Sequence, residues 1–208
     1  MKSRVIQVLS IAILSLGLLA SCYGTKLVAE WRDEEHQGYP QKVFVVGLST
    51  ERGPRSLVED EFVRQLKARG NDAIASYTVI PGSEKPDKEA VLAKVQELGA
   101  DVIIVVKFLK KDMGGTHTPL RRYAVPQGFD TSWDSYYYGG VSTDVGVRDV
   151  SYDYDVISME TILYQTATRK PIWSALSETS YQQGGPMKQI KPFTTAVMKK
   201  LVQEKLVR

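Results

Sequence analysis

A single cysteine, Cys22, occurs in 208 residues. A disulfide needs two, so no cross-linked framework supports the fold and core burial must supply its stability. Histidine is nearly as scarce, with only His36 and His117, far apart in the chain. A metal site would need the fold to bring them together with acids such as Glu34 or Glu35; their polar surroundings favour surface loops instead. No CxxC, HExxH, GxSxG or SxxK occurs, which removes the motif-level grounds for thiol redox chemistry, zinc-dependent hydrolysis and serine acyl transfer. No glycine-rich GxGxxG is present either, and Gly47 to Arg55 departs from the Walker spacing, with Pro54-Arg55 in place of Lys-Ser/Thr. Nucleotide binding is therefore not expected. The balance of 27 basic against 24 acidic residues is too even for an electrostatic footprint on nucleic acid. Finally, no apolar run reaches the ~20 residues a spanning helix requires.

What is present begins with MKSR, where Lys2 and Arg4 precede an apolar run from Val5 to Ala20. A basic start, a short apolar middle and small residues at the end mark a secretory signal. Leu19-Ala20-Ser21-Cys22 resembles the lipobox of bacterial lipoproteins. That resemblance implies that residues 1–21 are removed and that Cys22 becomes an acylated first residue, with no free thiol chemistry. Two or more acyl chains give stable anchoring where one does not. Tyr23 follows Cys22, in place of the aspartate that retains such proteins in the inner membrane of enteric-type bacteria. The implied location is the outer membrane, facing the periplasm, with residues 22–41 as anchor and tether.

Residues 42–208 are expected to form a single α/β domain. A first short strand falls around Lys26 to Trp31. KVFVVGLS at 42–49 is apolar and β-branched, which suits a buried strand. Val58, Phe62 and Leu66 recur at i, i+4, i+8 behind Pro54 at a helix start, with acids early, Arg64, Lys67 and Arg69 late, and Gly70 as terminator. A strand is expected over Ala73 to Ile80. Asp87 caps a second helix carrying Val91, Val95 and Leu98 ahead of Gly99. Asp101 to Lys107 is a continuous apolar run, the pattern of a strand covered on both faces. The order is βαβαβ, with right-handed crossovers.

The second half has an α+β character. Residues 111–142 hold five glycines and two prolines with no sustained period. Val150, Tyr152, Tyr154 and Val156 alternate with polar residues, as in a half-exposed strand. METILYQ and PIWSALSETSY flank TATRK as an antiparallel hairpin, and a last helix is expected after Pro192, with Phe193, Val197 and Leu201 on its buried face. The whole is expected as a two- or three-layer sandwich. Asp149, Asp153 and Asp155 share one strand face; at ~3.4 Å per residue Asp149 and Asp153 stand ~14 Å apart and Asp153 and Asp155 ~7 Å apart, so a solvated face is the plainer reading than a metal site. Arg55 and Glu59, at i, i+4, are expected as a surface ion pair.

The most unusual composition is GFDTSWDSYYYGG, residues 128–140. Phe129, Trp133, Tyr136, Tyr137 and Tyr138 there either supply rigid contact area for a partner, a glycan or a membrane interface, or fold back over the sheet edge, or belong to a disordered segment. No cofactor and no metal are expected.

Several stretches together resemble an uncharacterised family of bacterial cell-envelope lipoproteins, known as a domain of unknown function. They are KVFVVGLS with Arg55, Glu59 and Asp60 after it, FVRQLKARGNDAIASYTVIP, ELGADVIIVV, the tyrosine- and glycine-rich insertion, and ILYQTATRKPIWSALSET with Trp173. A more distant likeness is to the α/β domains of curli-secretion and penicillin-binding-protein-activator lipoproteins. That family has no established activity to transfer; the lipobox likeness, the lack of a convergent catalytic set and the aromatic insertion lead to the expectation of a non-catalytic binding or adaptor module in the envelope, with a small-molecule or lipid carrier as the alternative.

Overall fold

Two apolar runs make the centre of a six-stranded sheet. In the computed structural model, residues 24–49, 52–80, 85–112, 156–180 and 183–208 are described. β2 (Lys42–Leu48) and β4 (Val102–Asp112) lie parallel, with Val43 opposite Val102 and Leu48 opposite Lys107. Ile104 and Val106 of β4 enter one core while Ile103 and Val105 enter the other. This two-sided burial is why the run is unbroken by polar residues. β3 (Asp72–Ala75) pairs parallel on the outer side of β2. On the other side of β4 follow β5 (Val156–Gln165) and β6 (Pro171–Ser180), both antiparallel, and β1 (Thr25–Arg32) closes the edge against β6. The order is β1-β6-β5-β4-β2-β3.

Among the described residues, three helices cover the sheet. α1 (Arg52–Lys67) and α3 (Met187–Gln203) share one face. Their stripes, Val58, Phe62 and Leu66 on one and Ile190, Phe193, Val197 and Leu201 on the other, are wholly buried and follow the helical period. Phe62 and Phe193 meet edge to face, with centroids 5.8 Å apart. α2 (Lys88–Leu98) covers the opposite face through Val91, Leu92 and Val95. The Asp87 carboxylate accepts the Ala90 N–H at its start, and Gly99 takes the left-handed conformation at its end, both as the sequence indicates. The result is the mixed α/β sandwich expected, three layers deep over the parallel half.

Several expectations shift. The strand after α1 stops at Ala75, and a 3₁₀ turn occupies Ser76–Thr78. Ser76 and Tyr77 leave the ladder because both donate to Glu59, and Thr78 Oγ1 donates to the Ala75 carbonyl. α1 begins at Arg52, ahead of Pro54. α3 starts at Met187 rather than after Pro192. Pro192 falls in the second turn, where a missing N–H forgoes one backbone bond, while Phe193 beside it is fully buried. The expected first strand is present as β1 and belongs to the sheet, so residues 25–32 are not free tether. The hairpin stands as expected, closed by Gln165 N–H to the Lys170 carbonyl.

α3 is also tied to β1 by charge. Lys200 bonds Glu30 at 2.7 Å and Glu204 at 3.0 Å, and Arg32 donates to Glu204 at 2.8 Å. The Glu204 carboxyl is held below its ordinary value by Arg32 and then Lys200, while Lys200 is raised by Glu30 first. At this half-exposed surface the chain is worth less than the apolar seam beneath it.

Phe193→Ala removes the ring that locks α3 to α1. It should lower the unfolding free energy by ~3–5 kcal/mol, read from urea unfolding at unchanged slope; a loss under ~1 kcal/mol would mean the seam is not closely packed.

Candidate functional site

Arg55 and Glu59 are not a surface pair. Only 2% of Arg55 and none of Glu59 is exposed, because this face of α1 lies against β2 and the turn after β3. Arg55 Nε donates to Glu59 Oε1 at 3.0 Å and its Nη2 to Ser76 Oγ at 2.9 Å. The same carboxylate accepts the Gly47 N–H at 2.8 Å, Ser76 Oγ at 2.8 Å and the Tyr77 N–H at 2.9 Å. Burial pushes the Glu59 carboxyl above its ordinary value, and the Gly47 and Tyr77 N–H groups, Ser76 and Arg55 draw it back. A Cβ on Gly47 would stand 3.2 Å from Arg55 Cγ, so glycine there leaves room for the guanidinium stem. Next along α1, the exposed Asp60 accepts the Tyr77 hydroxyl at 2.6 Å; that bond first, then burial, pushes the Tyr77 hydroxyl up to about 12.

This network lies at the carboxyl end of β2 and the start of α1, where open α/β sheets commonly hold ligands. Here the chain fills the position itself. The Gly47 N–H that a phosphate loop would direct at its ligand is committed to Glu59.

The same end of the sheet carries further charge on the face away from α1 and α3. Lys107 stands opposite Glu160, and Lys26 opposite Glu178. Both glutamates are buried, at 7% and 9% exposure. Lys85, from the connection into α2, is lowered by burial and then by the charge of Lys107. Further along β6, opposite Trp31, Ser174 is fully buried with its Oγ unpartnered among the described residues. β4 runs to Asp112, opposite Val156 of β5, so the roots of residues 113–155 are neighbours at this end.

The opposite end holds an open cleft of about 250 Å³. His36, Gln37, Tyr39 and Pro40 of the β1–β2 loop face Asp101 and Gln165 across it. Tyr39 is 46% exposed, and Asp101 Oδ2 is occupied by the Gln41 and Lys42 N–H groups at 2.7 and 2.9 Å. His36 is thus placed in a cleft, but among the described residues no group of three His, Cys, Asp or Glu is gathered for a metal.

Cys22, Phe129, Trp133, Tyr136, Tyr137 and Tyr138 lie outside the described residues, as do His117, Asp149, Asp153 and Asp155. The structure therefore brings together charged groups that sequence reading passed over. Glu160 within METILYQ and Glu178 within SALSETS were the available signal: lone acids inside apolar strands. Among the described residues no helix is long and apolar enough to cross a membrane. The space between α3 and the sheet, where a carrier would need a cavity, is filled by Trp173, Phe193, Val197, Met198 and Leu201, all 1% exposed or less.

Glu59→Ala strands a buried guanidinium and should destabilise the fold by ~3–5 kcal/mol. The double variant Arg55→Met/Glu59→Leu, which removes both charges, should lose less than Glu59→Ala alone. Equal losses from both, measured by denaturant unfolding, would show that the ion pair itself contributes little.

No family model and no curated protein sequence matches the chain. Solved structures with a similar trace include the PelC dodecamer from Paraburkholderia phytofirmans, at 11% identity and a TM-score of 0.45, over 88% of this chain and 99% of that one. Lipoprotein GNA1162 from Neisseria meningitidis is similar at 14% identity and a TM-score of 0.42, over 79% and 99% of the two chains. Both scores fall under 0.5, and neither likeness carries weight in the functional reading.

Proposed function

We propose that this chain is a lipid-anchored bacterial envelope protein, held in the outer membrane through acylated Cys22 and facing the periplasm. Its domain acts as a binding or adaptor module without catalysis. The anchor is supported by Leu19-Ala20-Ser21-Cys22 behind a short apolar run, with Tyr23 following. The partner is an envelope protein; neither nucleic acid nor nucleotide is its ligand.

The observation that carries the binding role is the pairing of β4 with β5. Asp112 opposite Val156 means that the two strand ends flanking residues 113–155 are paired with each other. Phe129, Trp133, Tyr136, Tyr137 and Tyr138 fall within that segment of the sequence, and an aromatic-rich segment attached to a rigid scaffold is a common way to build a contact surface. The carrier alternative has no comparable support, since the space it would use beneath α3 is occupied by side chains.

Replacing Trp133, Tyr136, Tyr137 and Tyr138 by serine should abolish in-cell crosslinking to the partner while moving the melting temperature by less than ~2 °C, the equivalent of a fraction of a kcal/mol. A large thermal loss would show those aromatics to be core. Cys22→Ala should release the protein from the membrane fraction; continued membrane retention would remove the anchor.

A further inference from the structure

We propose that the domain stands on its membrane on one defined end of the sheet, with anionic lipid head groups as the partner of that end. The proposal rests on Cys22 being the lipid anchor and adds the orientation of the domain above it.

Chain length sets the first constraint. β1 begins at Thr25, and the carbonyl of Gly24 already accepts the Ser180 N–H at 3.3 Å. From Cys22 to Thr25 is three residues, at most ~10 Å when fully extended. The polar layer of a bilayer is ~5–7 Å deep on each side. The start of β1 is therefore held at the level of the head groups, too close for the domain to turn over.

Strand register then identifies what sits beside it. Thr25 is opposite Thr179, Thr179 opposite Ile157, and Ile157 opposite Lys111. These four positions form a row across four strands, ~14 Å wide at the usual ~4.8 Å spacing. α3 adds to the same end. Its Lys200 and Glu204 bond Glu30 and Arg32 toward the finish of β1, and the helix is ~25 Å long, so its first turn lies back at the Thr25 end. That turn carries Met187, 41% exposed, with the exposed Lys188 and Lys191. An accessible apolar side chain flanked by lysines suits an anionic interface. Exposed Lys26 is on the same end.

Charge is distributed accordingly along β1. The strand carries the chain ~26 Å away from the anchor and delivers Asp33, Glu34 and Glu35 at the far end, beside the cleft with Tyr39 and His36. The cleft opens toward the periplasm, and the base of residues 113–155 is at membrane level.

The test uses the full lipidated chain in phosphatidylcholine–phosphatidylglycerol vesicles. Acylation leaves Cys22 without a thiol, so Lys188→Cys or Glu34→Cys introduces the sole labelling site for a fluorophore. Nitroxide head-group lipids should quench the label at position 188 several-fold more than the label at position 34. Equal quenching, or the reverse, would overturn the orientation. Replacing phosphatidylglycerol by phosphatidylcholine should reduce the ratio; an unchanged ratio would reject anionic head groups as the partner. Mass spectrometry of the N-terminal peptide separates the two readings. No acyl group on Cys22 defeats the anchor and the orientation with it, whereas acylated protein without quenching asymmetry defeats the orientation alone.

Discussion

Backbone pairing between β1 and β6 starts at Thr25 and runs to Arg32, with one bulge between Leu27 and Ala29. It continues up to the first residue that could leave the sheet toward Cys22. What would otherwise be a long polar tether is thereby absorbed into the domain. In the proposed lipid-anchored arrangement, the anchor-to-domain distance, the end of the sheet near the membrane and the elevation of the β1–β2 loop all depend on that one ladder. The bulge also disrupts the outer edge of β1, which discourages pairing with another chain. With the proposed anchor at Cys22, so short a linker would turn a sheet topology into an orientation.

The interior imposes a second constraint. Arg55 and Glu59 tie the end of β2, the first turns of α1 and the turn after β3 into one unit. Two buried charges with partners from three segments hold a unique arrangement there, because each is costly to leave unpaired. They also fill the place where this architecture usually receives a ligand. The proposed binding role therefore falls to surfaces built from other parts, the base of the β4–β5 connection at one end and the Tyr39 cleft at the other.

Much of this was legible in the sequence wherever the determinants are local. KVFVVGL and DVIIVV announce two-sided burial by their composition, and Asp87 with Gly99 marks both ends of α2. The burial of Arg55 and Glu59 was not legible, since spacing at i, i+4 is the same for a surface pair and a buried one. What distinguishes them is Gly47 and Ser76, brought close only by the fold. Pro192 concealed the first turn of α3, and Ser76 looked like a strand residue until its side chain found Glu59. The membership of β1 in the sheet depends on partners such as Thr179, 154 positions away from Thr25, which no local pattern records. The cleft likewise needs His36 and Tyr39 to meet Asp101 and Gln165. For the proposed functional surfaces, the aromatics of residues 128–140 and Cys22 rest on sequence, and the structure supplies only the described residues next to them, Gly24, Asp112 and Val156.

The measurement that bears most directly on the central claim is amide hydrogen exchange of β1 in the full-length lipidated protein. If β1 is an edge strand of the sheet, its amides bonded to β6 will be protected to a level near that of the β5–β6 hairpin. Exchange across residues 25–32 at the rate of an unstructured segment would contradict the account. It would return this stretch to a free tether and leave the domain without a fixed orientation.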